Sequence, residues 1–450
     1  MADWVKASLL RSARRLARQY LVLGGPVEPI TYEAVISNYS GPKRRRYENA
    51  YDQLMEYGLE DRDYVYTGFV KFEQLDSAKV NKVPRIIQFP SFKLILYMMR
   101  YIKPIEARFR HIHDFTGTTI FAKGLNLKER AETMHTKWQS FGDPVSLRVD
   151  CKHYDVGVTA DALYVRAKFY RHLIDDEEFH AVVDKQVQTK LVFRDNLRFA
   201  SIKATYEANV KSGSANTGEA NSNGQAISIM AGMEHAGFAD GEYAFLVDGD
   251  DAHIYVEKHR STDLDLRLGS FFHETGHKLT IEGWAHDIHE IQFCQSNVVY
   301  VAGAPIMVRD PCKVLSNSLC TNKFKSPNAM RRFVRAVGEC ELALNAGVPI
   351  LQEYALALLR NTEGVKPLPP WEIEAFQHRV WTLHHNGPQV IADSTRVSFE
   401  KAFGFSAQEQ VAIESRLRKW IIGFDVPRQA PDDLSPLHWS VDYSMDTLVL

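Results

Sequence analysis

Residues Phe245–Glu257 read FLVDGDDAHIYVE and crowd Asp248, Asp250 and Asp251 between two runs rich in apolar residues. The flanks have the composition of buried strands, so the crowding is costly: repulsion and partial desolvation push such carboxyls toward the protonated form unless cations hold them ionised. A bound metal is one reading. An exposed hairpin turn is the other, because Asp-Gly between apolar runs is itself a strong hairpin signal. The stretch alone leaves both open.

The chain around it has 450 residues, 45% apolar and 24% charged, with a net charge of -2. That is ordinary globular composition, long enough for roughly two to four domains or one large enzyme with subdomains. Positive charge is local, at Lys43 to Arg46 and at Arg11, Arg14, Arg15 and Arg18, and its plain reading is a solvated face. Five cysteines with no CxxC pair indicate neither a disulfide framework nor a zinc knuckle. The apolar run around residues 93–100 is far shorter than the ~20 residues of a spanning helix, and no signal-peptide core is expected at the start. The first helical stretch, with Trp4, Val5, Leu9, Leu10, Leu16 and Leu21 among its arginines, fits a membrane surface or its own protein's core.

Strand and helix alternate from Val145 to Glu257. VSLRVD reads as a strand, and TADALYVRAKFYRHLI as a helix N-capped by Thr159. LRFASIKATYEANV reads as extended, a Gly/Ser/Asn-rich loop is expected from Ser212 to Gly224, and QAISIMAGMEHAG returns to helix. After Pro311 the pattern is mostly helical.

Asp150 ends its predicted strand, where ligands gather in α/β sheets, and Asp155 lies in the turn that follows. Two strand-borne aspartate clusters side by side would suit two Mg²⁺ ions through hard oxygen ligands. Such a pair clamps the attacking and leaving oxygens of a phosphoryl transfer. The loop adds Ser212-Gly213, Thr217 and Asn221, short hydrogen-bonding side chains beside a glycine that lets backbone approach a ligand closely. A flexible linker has similar composition.

In order and spacing, Asp150, then S-G-x3-T-x3-N from Ser212, then G-D-D at Gly249 to Asp251 resemble motifs A, B and C of the palm of positive-strand RNA virus RNA-dependent RNA polymerases, most of all the tombusvirus-like and nodavirus-like replicases. Lys71, Glu73, Lys82 and Arg85 resemble motif F, GHKLTIEG with Lys278 motif D, and Phe293, Cys294, Gln295 and Ser296 motif E. The resemblance covers about residues 65 to 320. It implies an α+β right-hand fold: fingers with an N-terminal extension over 1–140, a palm with an antiparallel sheet over 141–310 that carries a fingers insertion near 176–205, and a helical thumb over 311–450.

Roles follow from the resemblance. Asp150, Asp250 and Asp251 would ligate two Mg²⁺ ions, for which Mn²⁺ can substitute. Asp155, Thr217 and Asn221 would recognise the ribose 2′-hydroxyl, the group that distinguishes RNA from DNA, with Ser212 and Gly213 in the nucleotide site. Lys71 and Arg85 would meet the triphosphate, Lys278 would protonate the leaving pyrophosphate, and residues 293–296 would touch the primer RNA. Asp248 is left outside the site because strand side chains alternate faces. The implied partners are NTPs, RNA template and product, other replicase components, and a membrane surface met by the basic first helix, in a membrane-associated complex of the host cytoplasm.

Two alternatives stand beside this. One is an RNA-binding replication scaffold that no longer catalyses. The other is a zinc metallopeptidase, because His273-Glu-Thr-Gly-His277 matches H-E-x-x-H. Gly276 weakens the helix that motif needs by about 1 kcal/mol, and Thr280 stands where its extended form has glycine.

Overall fold

The sheet that carries the opening stretch is built from Tyr243–Asp248 and Asp251–Glu257, whose residues are mostly apolar and buried, and from Pro144–Lys152, in which Val145, Leu147, Val149 and Cys151 alternate with polar residues. In the computed structural model, which describes residues 1–71, 83, 85–194, 201–321, 324, 326–369 and 387–424, the strands are β1 Val65–Val70, β2 Ile86–Phe89, β3 Pro144–Lys152, β4 Gln188–Arg194, β5 Ser201–Glu207, β6 Tyr243–Asp248, β7 Asp251–Glu257, β8 Lys278–Ala285, β9 Gln292–Phe293, β10 Ser296–Val301 and β11 Ala304–Arg309. The chain divides into one unit of Met1–Asn126 with Thr133–Asp287, and a second of Leu127–Glu132 with Ile288–Leu450.

The first unit holds two four-stranded sheets. One runs β6-β7-β3-β8, antiparallel throughout, with Leu147, Val149, Leu246, Val247, Ile254 and Val256 buried. The other runs β2-β1-β4-β5, so Val65–Val70 pairs with Gln188–Arg194 although more than a hundred positions of sequence intervene. Helix Ala160–Leu173 is capped by Thr159, whose side chain accepts from the Ala162 N–H, as its N-cap composition predicts.

The N-terminal helix Asp3–Val22 buries Val5, Leu9, Ala13, Leu16, Ala17 and Tyr20, an apolar stripe at helical spacing, against helices Ala160–Leu173 and Thr217–His235. Most of its apolar face is therefore spent inside the protein, although Trp4 and Val22 stay exposed, and on its charged side Arg11 pairs with Glu234 and Arg15 with Asp240.

One expected element changes type. The Ser212–Gly224 stretch is a loop only to Asn216, and helix Thr217–His235 begins at once. Asn, Ser and Gly disfavour helix, but Glu219, Ala220, Asn221, Ser222 and Asn223 are all buried, and tertiary packing overrides propensity at such positions.

The second unit contains the sheet β11-β10-β9 and helices Pro311–Asn317, Pro327–Asn345, Leu351–Arg360, Asp393–Phe403 and Ala407–Lys419. Its core gathers Val299, Phe333, Val337, Tyr354, Leu358 and Phe399. No described helix is long and apolar enough to cross a membrane.

Candidate active site

Strands β6 and β7 form a hairpin whose last pair is Asp248 with Asp251, so the two turn residues are Gly249 and Asp250. Gly249 has φ +69° while Asp250 keeps a negative φ, the pattern of a two-residue turn with glycine first. The turn is thus shifted by one residue from the Asp248-Gly249 centre that the dipeptide signal suggests. Strand β3 lies beside β7 with Val149 opposite Ala252, and the next residues outward on the two strands are Asp150 and Asp251. Directly opposed residues of an antiparallel pair point to one face. Asp248, expected to face away, therefore shares a face with Asp251, because the turn resets the alternation between Asp248 and Asp250.

The electrostatics record this convergence. Burial pushes the Asp251 carboxyl up to about 6, with the charges of Asp250 and Asp150 adding to it and Arg148 easing it. Asp250 is also raised, by burial and then by Asp155, Asp150 and Asp248. Residues a hundred positions apart in sequence feel one another's charge. The donors are all hard carboxylate oxygens, and a divalent cation would reverse the upward shift, so the set fits an ion such as Mg²⁺ chemically. Among the described residues no three His, Cys, Asp or Glu side chains already form a closed ligand cage; the carboxylates are neighbours rather than a finished shell.

The loop before helix Thr217–His235 is fastened to β2. The Gly213 N–H donates to the Gln88 carbonyl at 2.8 Å, the Gln88 N–H donates to Ser212 Oγ at 3.4 Å, and a Cβ on Gly213 would stand 2.7 Å from the Gln88 carbonyl oxygen. Only glycine fits there. Lys211 Nζ donates to the carbonyls of Gln186, Ala208 and Asn209, and burial lowers its pKa to about 8. Thr217 Oγ1 donates to the Lys211 carbonyl at 2.6 Å, closing the loop. Asn221 Nδ2 donates to Asp155 Oδ1 at 2.7 Å, so the two residues assigned to the ribose are in direct contact.

Lys278 opens β8 and pairs with Lys152, two positions from the Asp150–Thr280 pair. It is exposed and on the same face of the sheet as Asp150. Two lysines directly opposed repel one another across the sheet, and sequence reasoning did not single out Lys152. The Lys71 N–H donates to the Arg85 carbonyl at 2.7 Å, at the mouth of the β1–β2 connection; Glu73 and Lys82 lie outside the described residues. In the second unit Phe293 and Ser296 are buried, and Cys294 and Gln295 form the β9–β10 turn with φ of 48° and 62°.

The H-E-x-x-H pattern does not make a zinc site. Helix Leu264–Glu274 stops inside it, Gly276 has φ +95°, His273 is exposed, and His277 is buried against Tyr154 with ring centroids 4.4 Å apart. Broken after Glu274, the helix cannot set both histidines on one face a turn apart.

Sequence reasoning missed Ser222, whose Oγ accepts from the Gly249 N–H at 3.0 Å and so ties the helix to the aspartate turn. It also missed Arg166, Tyr154 and Gly224, packed behind Asn221. No local pattern marks these residues, because each acts across elements.

Residues 5–424 match the family model described as viral RNA dependent RNA polymerase. The chain is similar to the RNA-directed RNA polymerases of Tobacco necrosis virus (strain A), 29% identical over 421 residues, 91% of this chain and 55% of that protein, and of Cucumber necrosis virus, 27% identical over 399 residues, 88% of this chain and 48% of that protein. Turnip crinkle virus supplies another, 27% identical over 410 residues, with 89% and 51% covered. The chain spans about half the length of the relatives it matches.

Proposed function

We propose, because this chain belongs to the viral RNA-dependent RNA polymerase family, that it carries out template-directed RNA synthesis for replication of a viral RNA genome. The 3′-hydroxyl of the growing strand attacks the α-phosphate of an NTP, and pyrophosphate leaves. The observation that carries this reading is the β3–β7 register, whose last pair, Val149 with Ala252, leaves Asp150 and Asp251 as the next residue on each strand, with Asp250 in the adjoining turn.

Polymerases of this family depend on divalent metal. Asp150, Asp250 and Asp251 would hold two Mg²⁺ ions, which lower the charge barrier on the attacking and leaving oxygens. The chain's own groups do the rest. Asp155 and Asn221 receive the ribose, Ser212 and Gly213 line the nucleotide site, and Lys71 and Arg85 meet the triphosphate. Lys278, with Lys152 opposite, delivers a proton to the pyrophosphate oxygen, and the Cys294-Gln295 turn touches the primer strand. The fold in this reading is the right hand, with fingers, palm and helical thumb. Its setting is a replication complex of the host cytoplasm, where contact with a membrane would run through the charged face of helix Asp3–Val22 rather than its buried apolar face.

A gel assay of labelled NTP incorporation on an unprimed RNA template with Mg²⁺ tests the reading. Wild-type protein is expected to make template-length product, and Asp250→Ala to make none while still binding RNA. No product from wild-type protein that still binds RNA would return the chain to the scaffold alternative, and equal product from both would remove Asp250 from the catalytic set.

A further inference from the structure

Behind the Asp155–Asn221 pair lies a cation that nothing in the catalytic scheme uses. Arg166, on helix Ala160–Leu173, is 8% exposed. Its Nη2 donates to Asn221 Oδ1 at 3.3 Å and to the Tyr154 hydroxyl at 3.5 Å. No described carboxylate pairs with it directly. Burying a guanidinium against only an amide and a phenol costs free energy that packing alone does not return. Space has been cleared for it as well: a Cβ on Gly224, one turn beyond Asn221 on the same helix, would stand 2.9 Å from Arg166 Nη2 and 3.1 Å from its Nε. Beneath, His277 stacks on Tyr154 and is held neutral, pushed down to about 4 by burial and by the Arg166 charge, so it adds no competing cation.

The direction of these bonds decides what Asn221 presents. An amide can turn over, exchanging its oxygen and nitrogen. With its oxygen bound to Arg166, the Asn221 nitrogen must face Asp155, donating one proton to Oδ1 and keeping the other. The pair then offers one N–H donor and one carboxylate oxygen, Oδ2. A 2′-hydroxyl is both donor and acceptor and matches that offer; a deoxyribose matches neither half.

We infer that Arg166 is a positioning residue for sugar selection: held in the space left by Gly224, it fixes the Asn221 amide so that the Asp155–Asn221 pair accepts ribonucleotides and rejects deoxyribonucleotides. This rests on the reading of Asp155 and Asn221 as the ribose pair. Arg166 touches no substrate and acts only through Asn221.

The test compares kcat/KM for one NTP and its dNTP on a single RNA template, using the whole chain. Arg166→Met is expected to lower the NTP/dNTP ratio roughly tenfold, the scale of one lost charge-assisted hydrogen bond, by slowing the NTP while leaving the dNTP unchanged. Gly224→Ala, whose methyl displaces the guanidinium, is expected to lower the ratio in the same way, and Arg166→Lys to restore part of it. In an Asn221→Ala background, Arg166→Met is expected to change the ratio no further. An unchanged ratio in Arg166→Met, an equal loss for both substrates, or an undiminished effect in the Asn221→Ala background would each overturn the inference.

Binding of the same NTP and dNTP to Asp250→Ala protein repeats the comparison without turnover. Tighter NTP binding that Arg166→Met abolishes supports the inference; NTP preference independent of Arg166, or no preference at all, contradicts it. Lack of incorporation by wild-type protein would instead sink the polymerase reading, so the two failures are separable.

Discussion

Two hairpin turns, one in each unit, solve the same geometric problem by opposite means. The β6–β7 turn puts Gly249 at the position that needs positive φ and has Ser222 accept its N–H, so the backbone is relaxed and the cost lies in the crowded side chains. The β9–β10 turn puts Cys294 and Gln295 at φ of 48° and 62° with no glycine, so the cost lies in the backbone, about 1–2 kcal/mol per residue. The first turn stores electrostatic repulsion, which a cation can discharge on binding. The second stores conformational strain, which persists where the side chains themselves are wanted. The same two-residue connection thus serves a proposed site for ions in one unit and a proposed contact for nucleic acid in the other.

The largest expected effect breaks the first turn's chemistry without breaking its backbone. Asp150→Asn should lower NTP incorporation by about three orders of magnitude or more, a few kcal/mol of lost charge stabilisation at the reacting oxygens. Its melting temperature should not fall, since one source of the upward shift at Asp250 and Asp251 is gone. A variant that loses stability and activity together would show that Asp150 is structural.

A second effect comes from the support beneath that turn. Glu219, one turn before Ser222, is fully buried; it accepts from Tyr170 and Asn223, and burial raises its pKa from 4.5 to about 7. Between those values the unfolded chain releases the proton that the folded chain keeps, so stability falls as pH rises through that window and levels off above it. Glu219→Gln removes this dependence. Its stability relative to wild type should improve by about 3 kcal/mol from pH 4 to pH 8, measured by urea midpoints at the two pH values; a constant difference would mean Glu219 is ionised in the fold.

The smallest effect sharpens the contrast from the other side. Cys294→Gly should raise the stability of the second unit by up to about 1 kcal/mol, the relief of strain less the greater entropy of glycine in the unfolded chain. Gly249→Ala, by contrast, should lower stability, because φ +69° there disfavours any side chain although nothing crowds it within 4 Å. A melting temperature lowered by Cys294→Gly would remove strain from the account.

Much of this was legible in the chain. The FLVDGDDAHIYVE hairpin, the strand that carries Asp150, which runs two residues further to Lys152 than its pattern predicts, and the Thr159 cap follow from local patterns whose period and punctuation belong to single elements. Register did not. Which residue of β7 faces Val149 depends on packing between strands far apart in sequence, and without it Asp248 was assigned to the wrong face. The start of helix Thr217–His235 was hidden for the same reason, since residues of poor helix propensity are held helical by what they pack against. Arg166 and Ser222 matter only through partners 55 and 27 positions away, and such contacts leave no trace in spacing.

The convergence of Asp150 and Asp250 on common ions is tested most directly by titrating the chain with Mn²⁺ in the presence of an NTP and following bound metal by electron paramagnetic resonance. The account predicts that Asp150→Ala and Asp250→Ala weaken binding of the same ions, and that the double variant does little more than either alone. Full Mn²⁺ binding in either single variant, or losses that simply add in the double, would contradict it.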